Sequence, residues 1–233
     1  MKRVWQILFR VLFTLFMGFV GFVIWVLYPH ENLQPLPEPL VASMSEEGLT
    51  RLAEAEASAD YPALLNAFEA QSLGSYCGVA TGVTVLGAFG RGSDQWDFFT
   101  SDASKVRSRF EVTFGGMSLP DLEGLLEAHG VNATRFHAAD SSVDEFRAVL
   151  NRNLANSDDY LIVNYQRELL GQGQVGHISP VAAYDAETDS VLILDTAAHK
   201  YPHTWVPVGM LFDAMTAVDS ATGKSRGYLE VSR

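Results

Sequence analysis

The chain has 233 residues and a formal net charge of −12 at pH 7. From residue 31 onward, 13 Lys and Arg residues stand against 28 Asp and Glu residues, a net charge of −15. This balance disfavours nucleic acid and anionic lipid surfaces as partners. With a single cysteine, the chain forms no internal disulfide and no thiolate cluster for a metal.

The N-terminal segment has the pattern of a membrane anchor. Three basic residues fall within the first ten positions, and residues 11–28 then run for eighteen positions without a charge. Together with residues 4–9, this run is long enough to cross the roughly 30 Å hydrocarbon core of a bilayer. A cleaved signal peptide usually has a shorter apolar stretch, of about 7 to 15 residues. We therefore predict an uncleaved signal anchor over residues 1–28, with residues 4–28 in contact with the bilayer.

The basic residues predict the orientation of this anchor. By the positive-inside rule the N-terminus lies in the cytoplasm, so the rest of the chain faces the periplasm. Cleavage near residues 40–45, which would give a secreted or periplasmic protein, is the alternative. Residues 29–44 form a proline-rich segment that predicts an extended spacer between membrane and domain. Residues 45–233 are sufficient for one domain with a sizeable core.

A stretch around the only cysteine predicts a loop followed by a helix. Leucine spacing first predicts helices at residues 45–57 and 61–71. Within Gln71–Gly90, apolar residues then recur at helical spacing directly after Cys77. The unpaired amides at a helix start lower the pKa of a thiol and favour the reactive thiolate. An isolated cysteine in an apolar setting is nevertheless more often a packing residue.

The remainder of the chain predicts a mixture of helices and strands, the α+β class. Residues 118–128 and 142–150 read as helices, with Ser118 and Ser142 as N-caps. Residues 94–110 show no pattern that we can assign. The last third predicts four strands, at residues 160–165, 177–184, 191–195 and 227–231. It also predicts one helix, at residues 208–217.

Two of these strands predict a pair of polar side chains on one face of a hairpin. If the loop has three or five residues, Asp195 lies opposite Ser179, and His177 is two residues along on the same face. Diagonal neighbours of this kind are within reach of a hydrogen bond. A cysteine nucleophile needs a base, and the base needs a third group to orient it. The side-chain amide of Gln71, six residues before the cysteine, could stabilise an oxyanion. Each residue alone is better explained by an ordinary structural role, but the combination indicates catalysis.

Four motifs in the same order relate the chain to a known family. They are Tyr76–Ala80, Gly176–Pro180, Leu192–Asp195 with Lys200–Pro202 and Trp205–Val206, and Thr222–Gly223 with Arg226–Tyr228. Over residues 71–232 the chain resembles the catalytic domain of phytochelatin synthases, in particular the short bacterial members. The resemblance implies a papain-like cysteine peptidase fold and a bacterial inner membrane for the anchor. It also implies Cys77 as nucleophile, His177 as base, Asp195 as the group that orients it and Gln71 as oxyanion donor.

The resemblance further implies a reaction. The cysteine would attack the Cys-Gly amide of glutathione, release glycine and retain a γ-glutamylcysteinyl thioester, which water or a second glutathione then receives. Arg226 and Asp219 match the family's anchor for the γ-glutamyl end, and Arg167 and Lys200 match further substrate-side positions. A guanidinium suits a carboxylate because it gives two parallel hydrogen bonds. No cofactor is implied, although metal-bound glutathione thiolates could serve as substrate.

The chain also departs from the family pattern. Ala198 stands where a further basic residue is usual, and His203 stands where a second proline is usual. These differences affect the choice of acyl acceptor rather than the triad. The cysteine-rich C-terminal region of the plant enzymes has no counterpart in this sequence, so we expect hydrolysis of glutathione to dominate over chain extension.

Two other motifs are weak. Residues 171–176 spell G-x-G-x-x-G, but Pro180 prevents the following segment from forming the helix that a dinucleotide site needs. His199 and His203 have the spacing of metal ligands, but Pro202 lies between them and a second ligand pair is missing. We therefore predict neither a nucleotide site nor a metal site.

Two other functions remain open from the sequence. A papain-like peptidase or amidase that acts on another γ-glutamyl or cell-wall peptide would keep the triad and change the substrate anchors. A non-catalytic, membrane-tethered binding domain would need neither the triad nor these substrate anchors. The sequence also leaves the oligomeric state open, a homodimer included.

Overall fold

Residues 2–233, which the computed structural model describes, form nine α-helices and nine β-strands. The predicted α+β class is therefore confirmed. The helices are α1 (Lys2–Leu27), α2 (Glu46–Glu54), α3 (Tyr61–Asn66), α4 (Cys77–Ala88), α5 (Ala103–Val106), α6 (Arg109–Gly115), α7 (Leu119–Ala128), α8 (Val143–Asn153) and α9 (Val208–Thr216). The strands are β1 (Val41–Ala42), β2 (Asn132–His137), β3 (Asp159–Gln166), β4 (Gly176–Asp185), β5 (Ser190–Ile193), β6 (Thr204–Pro207), β7 (Val218–Asp219), β8 (Lys224–Ser225) and β9 (Gly227–Ser232).

One antiparallel sheet organises the domain, with the strand order β1-β6-β5-β4-β3-β9-β2. Strand β3 shows how its two faces are covered. Tyr160 and Ile162 pack into the core that contains α4 and α7, whereas Leu161, Val163 and Tyr165 pack into the core that contains α8 and α9. Successive side chains of a strand point to opposite faces, so a continuous apolar run is required where both faces are covered.

Helix α4 lies inside the first of these cores. Every residue from Gly78 to Leu86 is buried, and a Cβ atom at Gly82 would come within 2.8 Å of the Phe98 ring. A glycine within a helix lowers the stability of the helix by about 1 kcal/mol relative to alanine. At Gly82 the missing side chain allows the Phe98 ring to pack against the helix backbone. The Thr81 hydroxyl donates to the carbonyl of Ile178 at 3.1 Å. This bond fixes the helix that begins with the cysteine against β4.

The β4–β5 hairpin differs from the prediction at its loop. Asp185 pairs with Ser190, so the loop has four residues rather than three or five. An irregularity in β4 then shifts the register by one residue, and Val181 lies opposite Ile193 as predicted. Strand β5 ends there, and Asp195 follows two residues later.

Several other boundaries were only partly predicted. The helix expected at 61–71 ends at Asn66. The residues that follow turn away, and the backbone N–H of Gln71 donates to the carbonyl of Thr196 at 2.8 Å. Residues 94–110 contain α5 and the start of α6. Strands β2 and β6 were not predicted. The N-caps at Ser118 and Ser142 are confirmed, each in a capping box.

Helix α1 stands apart from the domain. The segment Arg3–Leu27 is long and apolar enough to cross a membrane, and its apolar stretch is not buried against the rest of the chain. By length and composition α1 can be a signal anchor or a signal peptide. Residue 1 of the predicted anchor lies outside the described range.

The end of α1 contacts the domain directly. The carbonyl of Leu27 accepts a hydrogen bond of 2.9 Å from the amide of Gly74. The extended segment that follows also lies along the domain, since Asn32 donates to the carbonyl of His199 and Gln34 donates to that of Lys200, each at 2.9 Å. The proline-rich segment therefore does not hold the domain away from the helix.

A buried acid makes the stability of the fold dependent on pH. Asp60 is fully buried and its side chain does not cap α3. Burial, with the nearby charge of Asp159, raises the pKa of the Asp60 carboxyl to about 9. The folded protein thus keeps this group protonated at pH values where the unfolded chain has lost the proton. Its contribution to stability must fall as pH rises from about 4 to about 9, by up to about 1.4 kcal/mol per pH unit.

We expect Asp60→Asn to remove much of this dependence. The wild-type free energy of unfolding should decrease between pH 5 and pH 9, and that of the variant should decrease less. At pH 4 the two proteins should differ less than at higher pH, because the carboxyl is then protonated in the folded protein and still about half protonated in the unfolded chain. Thermal unfolding followed by near-ultraviolet circular dichroism over this pH range measures the difference. Parallel profiles for the two proteins would contradict the assignment.

Candidate active site

Cys77 is the first residue of α4 and faces a cleft. The loop before it is held by two contacts with α6: the Ser75 hydroxyl donates to the carbonyl of Thr113 at 2.9 Å, and the Tyr76 hydroxyl lies 3.0 Å from the Thr113 hydroxyl. The Cys77 side chain is half-buried and lines a cleft of about 420 Å³. A small molecule in this cleft can therefore reach the sulfur.

His177 lies opposite, near the start of β4. Its side chain is buried, and it lies close enough to Cys77 for each group to shift the pKa of the other. Its Nε2 atom lies 3.1 Å from Oδ1 of Asp195. The Thr196 hydroxyl also lies near Nε2, at 3.4 Å, so Nδ1 is the ring nitrogen that these two residues leave free. The Tyr165 ring packs edge-on against the imidazole, with 5.7 Å between centroids, and limits its rotation.

Asp195 is held from the other side by Arg167. One guanidinium nitrogen of Arg167 donates to both carboxylate oxygens, at 2.7 and 2.8 Å, and the two side chains are only 3% and 2% exposed. The amide of Ala197 donates to the same carboxylate at 2.8 Å, and Arg167 also donates to Gln172. Burial alone would raise the pKa of Asp195, but Arg167 and His177 hold it far below its usual range.

The protonation of the cysteine and the histidine follows from this arrangement. Burial favours a neutral thiol, but the hydrogen bond and charge of His177, with a backbone hydrogen bond from Ile178, lower the pKa of Cys77 below its ordinary value. Burial and Arg167 act to lower the pKa of His177, but Asp195 and Cys77 outweigh them and raise it. The two shifts favour a thiolate beside an imidazolium, the reactive form of a cysteine nucleophile.

Gln71 is near this group, but its amide is engaged. The side-chain nitrogen donates to the carbonyls of Leu73 and Gly74, both at 3.0 Å. These bonds shape the loop before the cysteine and leave no free N–H on the Gln71 side chain for an oxyanion. The first amides of a helix have no acceptor within the helix. The backbone N–H of Cys77, the first residue of α4, is therefore the donor that remains for an oxyanion next to the sulfur.

The far wall of the cleft carries Arg226 and Asp219. The Arg226 guanidinium donates to Oδ1 of Asn164 at 2.9 Å and lies 3.4 Å from the Asp219 carboxylate. It rests on the bare backbone of Gly176, where a Cβ atom would be 2.5 Å from its Nη1 atom. The structure thus brings both predicted residues to the cleft that holds Cys77.

The other two predicted substrate residues lie elsewhere. Arg167 is buried behind Asp195 and does not line the cleft, and Lys200 is also outside it. Sequence reasoning missed Asn164 and Arg107, which both line the cleft. Asn164 did carry a signal, because it is a polar residue within an otherwise apolar strand. Arg107 follows a four-residue helix that the sequence did not indicate.

The two weak motifs can also be placed. The G-x-G-x-x-G stretch leads into β4, which confirms that no helix follows it. The His203 ring packs edge-on against Phe68, with centroids 4.5 Å apart. Within residues 2–233, no group of three or more His, Cys, Asp or Glu side chains is arranged to hold a metal ion.

The class defined by these features is a mixed α+β protein in which a cysteine at a helix start lines a small cleft, beside a buried histidine and carboxylate. The profile of the phytochelatin synthase family matches residues 32–228. The chain therefore belongs to this family.

Individual relatives agree with the family match. Glutathione gamma-glutamylcysteinyltransferase 3 of Lotus japonicus is 35% identical over 176 residues, 73% of this chain and 37% of the relative. Glutathione gamma-glutamylcysteinyltransferase 1 of Triticum aestivum is 34% identical over 214 residues, 88% of this chain and 42% of the relative. Glutathione gamma-glutamylcysteinyltransferase of Schizosaccharomyces pombe is 27% identical over 205 residues, 83% of this chain and 49% of the relative. The chain thus spans less than half the length of these relatives.

Removal of Arg167 should affect both the fold and the thiol. Arg167→Met removes the guanidinium partner of the buried Asp195 carboxylate, and breaking a buried ion pair in this way typically costs about 3–5 kcal/mol. It should also raise the pKa of Cys77, because the guanidinium charge helps to lower it. The midpoint of the pH profile for alkylation of Cys77 by iodoacetamide should then move to higher pH.

Arg152→Met is the matched control for this variant. Arg152 pairs with Glu230 at the surface and is 61% exposed, so its loss should cost less than about 1 kcal/mol. It should leave the alkylation profile unchanged. Identical profiles for Arg167→Met and wild type would show that Arg167 does not influence the thiol.

Proposed function

We propose that this chain is a cysteine-dependent acyltransferase that acts on glutathione and cleaves its Cys-Gly amide. One observation carries the proposal: the polar chain Arg167, Asp195, His177 and Cys77 ends at a cleft that also contains Arg226. Family membership and the names of the relatives point to glutathione as substrate. We further propose that residues 45–233 are a papain-like catalytic domain, with residues 1–28 as anchor and 29–44 as linker.

In the first half of the reaction, the Cys77 thiolate attacks the carbonyl carbon of the Cys-Gly amide. The oxyanion that forms accepts a hydrogen bond from the backbone N–H of Cys77. The side-chain amide of Gln71 can donate a second one only if it first breaks its hydrogen bond to the carbonyl of Leu73 or Gly74. The His177 imidazolium then gives its proton to the departing nitrogen, the C–N bond breaks, and glycine leaves. The γ-glutamylcysteinyl group remains on Cys77 as a thioester.

In the second half, neutral His177 takes a proton from the acceptor as the acceptor attacks the thioester carbonyl. Water gives γ-glutamylcysteine, and the amine of a second glutathione gives a longer peptide. Asp195 keeps the imidazole oriented and stabilises its cation in both halves. We propose that hydrolysis is the preferred outcome; Ala198, which stands where a basic residue is usual in the family, bears on the choice of acceptor.

The charges of the substrate match the far wall of the cleft. The γ-glutamyl end of glutathione carries a carboxylate and an ammonium, which suit Arg226 and Asp219 respectively. Within the described residues, Nε of Arg226 and Nδ2 of Asn164 are buried without a hydrogen-bond partner. Both are donors, so a bound carboxylate would satisfy them. Arg167 acts here as a positioning residue for Asp195 rather than as a substrate ligand, and we assign no contact to Lys200.

The remaining parts of the proposal concern location and partners. With α1 retained as a signal anchor, the domain faces the periplasm of a bacterial inner membrane, and cleavage of α1 would release it. No protein-bound cofactor takes part in these steps, and glutathione with metal-bound thiolates is an allowed substrate. The positive-inside rule supports a periplasmic domain, because the basic residues of the α1 segment precede its apolar run.

Mass spectrometry of the full chain with glutathione tests the reaction. We expect free glycine, γ-glutamylcysteine and, at short times, a thioester adduct on Cys77. Cys77→Ser should lower turnover by at least about 1,000-fold, as loss of a nucleophile does in other enzymes. Absence of both products would refute the glutathione reaction. Cysteine-dependent cleavage of another γ-glutamyl or cell-wall peptide would instead support the peptidase alternative, and activity that survives Cys77→Ser would exclude this mechanism.

Gly176→Ala separates substrate binding from the chemistry of the thiol. The added methyl group must displace the Arg226 guanidinium, so KM for glutathione should rise by about tenfold or more, the effect of losing about 1.4 kcal/mol of binding. The alkylation rate of Cys77 should stay unchanged. Gly209→Ala is the control, because a Cβ atom there meets no atom within 4 Å. An unchanged KM in Gly176→Ala would argue against Arg226 as a substrate anchor.

A further inference from the structure

Three large aromatic side chains are exposed near the cysteine loop. Trp96, Phe110 and Phe114 are 64%, 72% and 60% exposed. Side chains of this size usually carry much of the apolar surface that a protein buries in a core or an interface. We call these three residues the aromatic face.

Trp96 lies at the point where α1 meets the domain. Together with Tyr28, the residue that directly follows α1, it borders a hollow of about 320 Å³ whose lining includes Leu73 and Tyr76. The bond from the Gly74 amide to the Leu27 carbonyl fixes the end of α1 at the same loop. Trp96 is therefore next to the end of the apolar helix.

The two phenylalanines continue this surface towards the cleft. The Arg109 guanidinium lies 3.7 Å from the centroid of the Trp96 ring and donates to the Trp96 carbonyl. Arg109 begins α6, on which the rings of Phe110 and Phe114 lie 4.8 Å apart. Phe114 also lines the cleft that holds Cys77. The aromatic face thus extends from the end of α1 to the edge of the cleft, with Arg109 linking Trp96 to α6.

The apolar helix identifies what covers this surface. The 25 residues Arg3–Leu27 rise about 37 Å as a helix, enough for a hydrocarbon core of about 30 Å. Trp25 and Tyr28 at its end are of the type that lies at the membrane–water interface, and Trp96 borders the same hollow as Tyr28. A protein partner would have to reach this surface past the lipid around α1.

We propose that the aromatic face inserts into the interfacial region of the bilayer that α1 spans, so that the cleft of Cys77 opens at the membrane surface. The proposal rests on α1 being retained as an anchor, and it is independent of the reaction at Cys77. The domain is acidic and would be repelled by anionic lipids. Apolar burial must therefore drive insertion, and bilayers of neutral phosphatidylcholine should be sufficient.

The single cysteine makes a labelling experiment possible. In the full chain with Cys77→Ser, a spin label is attached to Phe110→Cys or to Phe114→Cys, and the protein is reconstituted in phosphatidylcholine liposomes. Two matched controls carry Phe16→Cys in the middle of α1 or Glu187→Cys in the β4–β5 loop. That loop is about 26 Å along β4 from His177. Retention of the unlabelled protein's thermal transition shows that each variant is folded.

Paramagnetic relaxation by oxygen and by a water-soluble nickel chelate reports the position of each label. We expect labels at positions 110, 114 and 16 to be relaxed more by oxygen, and the label at 187 to be relaxed more by the chelate. If positions 110 and 114 behave like 187 while 16 behaves as in lipid, the aromatic face is in water and the proposal is wrong. If position 16 is also in water, α1 does not span the bilayer and the proposal fails at its premise. Turnover of glutathione by the wild-type chain is measured separately.

Discussion

The Arg167 guanidinium and the Asp195 carboxylate lie 2.7 Å apart, and both are almost completely buried. The site depends on this ion pair. The carboxylate can stay ionised away from water only because the guanidinium and the Ala197 amide bind it. Its charge then raises the pKa of His177, and the imidazolium in turn lowers the pKa of Cys77. A cation two groups away from the sulfur thus helps to make the sulfur reactive.

The position of the sulfur depends on packing rather than charge. Helix α4 is buried along most of its length and is tied to β4 through Thr81 and the Ile178 carbonyl. The cysteine on the helix and the histidine on the strand are therefore held next to each other by packing and by this hydrogen bond. The loop before Cys77 also bonds to α6 and to the end of α1. The same short stretch therefore connects Cys77, the apolar helix and the aromatic face.

The two walls of the cleft differ in how far the sequence predicted them. The hairpin prediction paired His177 with Asp195 although its loop length was wrong, because an irregularity in β4 compensates for the extra loop residue. The wall opposite the cysteine was predicted in part: Arg226 and Asp219 line the cleft, whereas Arg167 faces the Asp195 carboxylate and Lys200 lies outside. Arg167 directly follows β3 and Lys200 lies in the connection between β5 and β6, and neither periodicity nor spacing indicates which way such a side chain turns. Asn164 was missed because a polar residue in a buried strand can serve structure or function equally well.

Local physical chemistry fixed much of this protein. The apolar run of α1, the serine caps of α7 and α8, the start of α4 at the cysteine and the strong central strands all follow from neighbouring residues, and each is readable in the sequence. Contacts between distant segments decided the rest. The register near Asp195, the burial of Arg167, the use of the Gln71 amide within its own loop and the contact of α1 with Gly74 depend on how separate elements pack. Sequence carries no direct record of these distances, because each arises only when several elements compete for the same volume and the same hydrogen-bond partners.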